Sequence, residues 1–291
     1  MLTQFFQRHN IVLHKGQNLH IVATLLWNRV LMARLAVHKR LHGIKKPIVH
    51  YYAVCWNEEK MLPFMFQYYD QFVDHYTIYD NYSDDNSESI IRSHKNADIV
   101  KFQTDGFDDT AHQNIKNNCW KRSRGKADWV VVCDIDEFLY HEDLVGLLRQ
   151  ARRGHYTIFR TTGYHMYSAT YPCHTPGRLI TNMVKDGVHD FYFDKQIVFD
   201  PHRIAEINYE VGGHQAHPKG MVRELDTGGT LKMLHYKNLS VGHLLARMAL
   251  CRSRLSKANL ENRWGEHYLQ SEAQVREDFA KGLAAAQQVI P

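Results

Sequence analysis

Three acids in four positions, Asp134, Asp136 and Glu137, are the densest chemical feature of the chain. They follow an apolar run at residues 129–133 that contains three consecutive valines, and they precede Phe138-Leu-Tyr140. An uninterrupted apolar run of this kind reads as a strand buried on both faces of a sheet. Acids at the carboxyl end of such a strand stand where open α/β sheets bind ligands. If the strand persists through residue 136, side-chain alternation aims Asp134 and Asp136 to one side and Glu137 to the other. Two adjacent carboxylates repel one another unless a cation lies between them, and oxygen ligands suit Mg²⁺ or Mn²⁺. The same residues could instead cap a following helix, so the motif alone leaves two readings open.

The elements needed to position these acids are written on either side of them. Residues 48–56, IVHYYAVCW, predict a first strand, and Asn57 with Glu58 and Glu59 predicts the start of a helix running to about residue 72. Residues 75–79 predict a second strand that ends in the polar cluster 80–87, DNYSDDNS, followed by a helix over 88–94. A third strand is expected at 97–103. Thr110 and Gln113 form a capping-box pattern opening a polar helix to about residue 124, with Gln113 and Asn117 on one face. Strand and helix thus alternate four times with short links, the signature of a parallel sheet with helices on both faces.

After the acids the rhythm changes. A helix is expected at 142–152, a strand at 156–161 and an irregular, substrate-facing segment at 163–194. Residues 196–199 resemble a strand. Residues 220–224 and 230–235, around Asp226-Thr-Gly-Gly229, predict a hairpin. Two helices close the chain, one over 240–260 and one starting at Ser271, where Gln274 completes a capping box. This gives three parts: a basic N-terminal segment at 1–46, a catalytic domain at 47–238 and a helical extension at 239–291.

The charge of +5 is unevenly distributed. The first acid is Glu58, so residues 1–47 carry eight Lys and Arg and no acid, leaving 28 bases against 31 acids in the remainder. A near-neutral body gives no sign of nucleic-acid binding. Residues 17–42 are amphipathic at helical spacing, with Leu19, Leu25, Leu26, Val30, Leu35 and Val37 among Arg29, Arg34, Lys39 and Arg40. Two readings stand for this helix: it packs on the body, or it lies on an anionic membrane surface. Pro47 marks its boundary. No apolar run reaches the length of a membrane span, because Asn28, Arg29 and Arg34 interrupt the longest one. The five cysteines are scattered and form no C-x-x-C pair, which predicts free thiols, a reducing compartment and cytoplasmic location.

Taken together, Asn57-Glu-Glu59 after the first strand, the 80–87 cluster after the second and Asp134-Ile-Asp-Glu-Phe138 after the fourth resemble a family-2-type glycosyltransferase. The resemblance is to the bacterial branch whose acidic motif reads D-I-D-E-F, and it covers about residues 48–268. It implies the GT-A fold of nucleotide-diphospho-sugar transferases: an α/β architecture with a Rossmann-like, mostly parallel central sheet, helices on both faces and C-terminal helices. It implies a metal-dependent, inverting transfer of sugar from a nucleotide-sugar donor, with a uridine diphosphate sugar favoured, to a glycan or lipid-linked acceptor in surface polysaccharide synthesis. A divalent cation, Mn²⁺ or Mg²⁺, would neutralise the departing diphosphate.

Carried over by motif, Asp136 is the expected metal ligand and Asp134 contacts the ribose or the metal, while Glu137 holds the loop in place. Asp80 is expected on the nucleobase, and Asn57, Glu58, Gln113 and Asn117 along the donor crevice. His235, ending an apolar run, is the expected third metal ligand, ahead of the competing pair His214 and His217. Lys237 is expected near the diphosphate. The family's usual downstream E-D base is missing, and Asp190 and Asp194 are its substitutes, Asp190 preferred. A nucleotidyltransferase and a non-catalytic glycan-binding scaffold are the competing functions. The first usually carries a Gly-rich phosphate loop where this chain has Asn57-Glu-Glu59, and the second has no need of the acids.

Overall fold

A computed structural model describes residues 11–12 and 18–291 of the chain. The rest of the basic N-terminal segment, Arg8 and Lys15 included, lies outside the described residues. The first helix, α1 (Asn18–Leu41), ends at Gly43, whose φ of 65° suits a residue without a Cβ, rather than at Pro47. By length and composition α1 is apolar enough to cross a membrane, contrary to the expectation that no run reaches that length.

Four strands then follow in the expected order: β1 (Val49–Cys55), β2 (His75–Asp80), β3 (Ala97–Lys101) and β4 (Trp129–Val132). They are mutually parallel, with β1 between β4 and β2 and with β3 outside β2. All seven β1 residues and all four of β4 are buried, as their unbroken apolar runs require. Between these strands lie the helices α2 (Leu62–Tyr69), α3 (Ser87–Ser93) and α4 (Asp109–Asn118). Two helix starts differ from expectation. Asn57 does not cap α2, which begins after Met61, and Asp108 rather than Thr110 caps α4, accepting from the amides of Thr110 and Ala111. Asp108 wins because it is extended and lies one residue before the helix, where its oxygen meets the free amides.

β5 (Glu137–Tyr140) leaves this sheet for another, so Asp134 and Asp136 sit in the turn between β4 and β5 and not in a strand. Strand alternation therefore does not set their directions. After α5 (Leu144–Arg153), the short strands β6 (Ile158–Phe159), β9 (Val198–Phe199) and β12 (Glu224–Leu225) extend the first sheet to seven strands, with β9 antiparallel to both neighbours. The second sheet has the order β14–β8–β7–β13–β5, where β7 is Thr162–Ser168, β8 Asp186–His189, β13 Lys232–Leu239 and β14 Gln287–Gln288. Two short strands, β10 (Ile204–Glu206) and β11 (Lys219–Met221), form a small antiparallel sheet with Ile11–Val12.

Three expectations fail in this region. Residues 163–194 are not uniformly irregular, because β7 and β8 run through them. Residues 220–235 do not form a hairpin; β11, β12 and β13 pair in three different sheets. The 240–260 helix is two helices, α6 (Val241–Ser253) and α7 (Lys257–Glu261), because Ser256 caps a new start by accepting from the Asn259 amide. The last helix, α8 (Glu272–Ala285), starts at Ser271 as expected, its side chain accepting from the Gln274 amide. The result is a mixed α/β fold with a mostly parallel central sheet.

Burial lowers the pKa of His50 and of His112 from 6.5 to about 4, so both are neutral in the folded chain. Unfolded, they regain the ordinary value and bind protons first. Stability should therefore fall as pH drops from about 6.5 to about 4. His50→Gln should flatten that slope in thermal melts; an equal slope in both proteins would refute the assignment.

Candidate functional site

The acidic turn is fastened from below by tyrosines. The Tyr69 hydroxyl, on α2, accepts from the Leu139 amide at 2.9 Å and donates to the Glu137 carbonyl at 2.8 Å. The Tyr51 hydroxyl, on β1, donates to the Asp134 carbonyl at 3.1 Å. Glu137 is 1 % exposed and pairs with Lys195, 3 % exposed, at 2.5 Å, while its second oxygen accepts from the Asp134 amide at 3.2 Å. Glu137 thus holds the loop, as expected.

Above this floor the two aspartates part. Asp134 pairs with Lys116 of α4, 2.7 Å away. Burial disfavours its charge, but Lys116 and Lys195 outweigh it and hold the carboxyl below its ordinary value. Asp136 meets His235 instead, with Nε2 and Oδ2 3.2 Å apart. Its carboxyl, despite burial, is held well down by His235, Arg247 and Lys237. His235 is brought there by register: it is the Cα partner of Glu137 on β5 and of His165 on β7. Its Nδ1 lies 3.3 Å from Nδ1 of His165, whose Nε2 lies 3.2 Å from Asp190. Asp136, His235, His165 and Asp190 are therefore linked in one hydrogen-bonded row, with Phe193 stacked on His235. Gly163 permits this, because a Cβ there would sit 2.3 Å from the Phe193 backbone.

The other expected residues divide. Asp194 accepts from the Gly163 amide at 2.7 Å and contacts His189, which places it in loop support. Lys237 lies over the Tyr268 ring and contacts His267, with Asp136 as its nearest acidic influence. Glu58 pairs with Arg247 of α6. Burial raises the Glu58 pKa to about 8; Arg247 opposes the rise, and Asp136 and Asp134 add to it. Arg247 also donates to the carbonyls of Trp56 and Asn57, at 3.0 Å each.

Four residues expected along the donor crevice have partners within the protein. Asp80 is fully buried, with Ser83 and Lys101 each 2.5 Å from its oxygens. Asn57 is turned onto Asp84 at 2.5 Å, joining the loops after β1 and β2. Gln113 and Asn117 both donate to the Tyr209 carbonyl, at 2.8 and 3.2 Å, and so anchor the 209 loop. The pair His214 and His217 does not converge: His217 contacts Glu210, whereas His214 packs on Tyr192 and Phe193.

Sequence reasoning missed Lys116, His165, Lys195 and Arg247. Lys116 shares the α4 face of Gln113, three residues away, and that spacing could have found it. His165 is one of twenty histidines, and only strand register singles it out. As for a metal, no group of three or more His, Cys, Asp or Glu side chains converges among the described residues, because Asp134 turns to Lys116. Asp136 and His235 remain as an oxygen–nitrogen pair, a donor set acceptable to Mn²⁺ and poorly matched to Mg²⁺, which takes oxygen ligands.

Beside Glu58 lies a cavity of about 520 Å³ lined by Glu59, Lys60, Phe64, Tyr171, His174 and His243, among others. It is of the size that holds a small ligand. A test of the floor is direct. Lys195→Met leaves Glu137 buried and unpaired and should cost about 3–5 kcal/mol in urea unfolding. Adding Glu137→Gln should recover part of the loss; no recovery would show that the ion pair is not the cause.

No curated protein is similar in sequence. Solved structures of similar shape include S. aureus TarS 1–349, at 11% identity and a TM-score of 0.40, over 73% of this chain and 68% of that one. They also include the same protein in complex with UDP-GlcNAc, at 11% identity and a TM-score of 0.41, over 80% and 71%. The family model "Glycosyltransferase family 92" matches residues 50–242, which hold β1 to β13, both aspartates and His235. The chain belongs to glycosyltransferase family 92, and not to the family-2 group that its acidic motifs resemble.

Proposed function

We propose that the enzyme is a metal-dependent, inverting glycosyltransferase that moves a sugar from a nucleotide-sugar donor, a uridine diphosphate sugar favoured, to a glycan or lipid-linked acceptor. The observation that carries this reading is the approach of His235, on β13, to within 3.2 Å of Asp136 in the turn that follows β4. These two side chains would hold a divalent cation, which neutralises a departing diphosphate. Arg247 and Lys237 both favour the charged form of Asp136. Membership of a glycosyltransferase family removes the nucleotidyltransferase and the scaffold from contention.

Transfer breaks the bond from the anomeric carbon to the diphosphate and forms one to an acceptor oxygen, whose proton needs a base. Asp190 is preferred to Asp194 as that base because His165 links it to the Asp136–His235 pair, with its second oxygen held by the Tyr192 amide at 2.9 Å. The cavity beside Glu58 supplies room and aromatic walls for an acceptor sugar.

Calorimetry with uridine diphosphate should show binding that depends on Mn²⁺. Asp136→Ala should abolish that dependence and cut donor hydrolysis by about 100-fold or more, with an unchanged circular dichroism spectrum. Normal turnover by the variant would sink the metal assignment. Asp190→Asn should leave nucleotide binding intact and slow transfer by about 10²–10⁴-fold; a loss of nucleotide binding instead would assign Asp190 to the donor side.

A further inference from the structure

Helix α1 has two apolar faces, and among the described residues only one of them is covered. On the first, Ile21 and Leu25 are buried against Ala205 and the partly buried Met221, and Leu35 is 2 % exposed. Polar groups fix the same face: Asn28 donates to the His202 carbonyl at 2.9 Å, and Lys39 pairs with Asp128 just before β4. On the opposite face Leu19, Leu26, Val30 and Val37 are between 50% and 87% exposed. Their spacing of seven, four and seven residues, with exposed Ala23 and Ala33 between them, draws a single stripe along the helix.

The surroundings of the stripe decide what covers it. By helical periodicity, Arg29 and Arg40 flank one side of the stripe and Arg34 the other; all three are exposed, and none has an ion-pair partner among the described residues. No Asp or Glu occurs before Glu58, so neither the helix nor the residues leading to it can neutralise them. A second copy docked here would set arginine against arginine in either orientation, which disfavours self-pairing. A helix crossing the bilayer needs apolar surface all round, whereas α1 keeps protein, with a buried Asn28 and an ion pair, on one side. An anionic lipid surface satisfies both features, since acyl chains take the stripe while arginines reach the headgroups.

We propose that α1 is a flat docking helix that seats the enzyme on an anionic bilayer through Leu19, Leu26, Val30 and Val37, with Arg29, Arg34 and Arg40 on phosphate headgroups. The docking is independent of the catalytic reading, because the helix packs beside the start of β4 and the acidic turn lies past its end.

The test uses the full chain and vesicles of phosphatidylcholine with and without phosphatidylglycerol. The protein should pellet with the anionic vesicles, release at high salt, and stay in solution with neutral ones. A Leu26→Ser/Val30→Ser/Val37→Ser variant should lose pelleting at every salt concentration. An Arg29→Gln/Arg34→Gln/Arg40→Gln variant should partition about a hundredfold more weakly, from about fivefold per arginine. These positions face solvent, and thermal melts confirm that each variant folds. Equal pelleting of all three proteins, or none by the unaltered chain, overturns the proposal. Pelleting that survives an alkaline wash would mean a spanning helix, and a dimer seen by light scattering and lost in the serine variant would mean a second copy; either result also overturns it.

Discussion

A buried charge pair at the crossing between two sheets governs this enzyme. The chain leaves the central sheet at Val132 and enters the second sheet at Glu137, and Asp134 and Asp136 lie among the four residues between. A turn that joins two sheets has few ladder hydrogen bonds of its own, so its shape must be imposed from outside. Glu137 imposes it. Its carboxylate, almost wholly buried, is neutralised by Lys195 and reaches back to the Asp134 amide. Burying both ions costs several kcal/mol each and is tolerated only where the partners are closely matched. What the pair provides here is one geometry for the turn.

The remaining parts act as walls for that turn. Tyrosines from β1 and α2 take up the backbone groups the sheets leave open. The loops after β1 and β2 are zipped together by Asn57 with Asp84 and by the Glu58 amide donating to Ser87 at 2.8 Å. Arg247 then ties α6 to the first of those loops. Several residues that look like ligand contacts in the sequence are spent in this way. A polar side chain at a strand end has two possible uses, and here support of the neighbouring loop often prevails over contact with substrate.

The sequence made the central sheet legible because β1 and β4 are apolar without interruption and their helices alternate with them. It made Asp136, Glu137 and His235 legible for a different reason: each stands at the edge of an apolar run. The second sheet was obscure. β7, Thr162-Gly-Tyr-His-Met-Tyr-Ser168, mixes polar and aromatic residues with no clean alternation, because it pairs on both sides and carries a histidine that contacts His235 and Asp190. Lys195 and His165 owe their places to pairings between segments far apart in sequence, and local pattern contains no trace of such pairings. Asp80 is a well-placed acid whose burial no local pattern reveals. The family itself was mistaken at the finer level, since short acidic motifs recur across transferases.

Glu137, His235 and His165 form a single cross-strand row over β5, β13 and β7. Neighbouring strands lie about 4.8 Å apart, a spacing set by the peptide hydrogen bond and not by any side chain. The span from the acidic turn to the Asp190 side is therefore measured in whole strands. Mutation can resize the residues along that row, but it cannot stretch the row by a fraction of a step. A substrate too large for the gap has to be met by the loops, so divergence among enzymes built this way should collect in the segment between β7 and β8 while the row stays fixed.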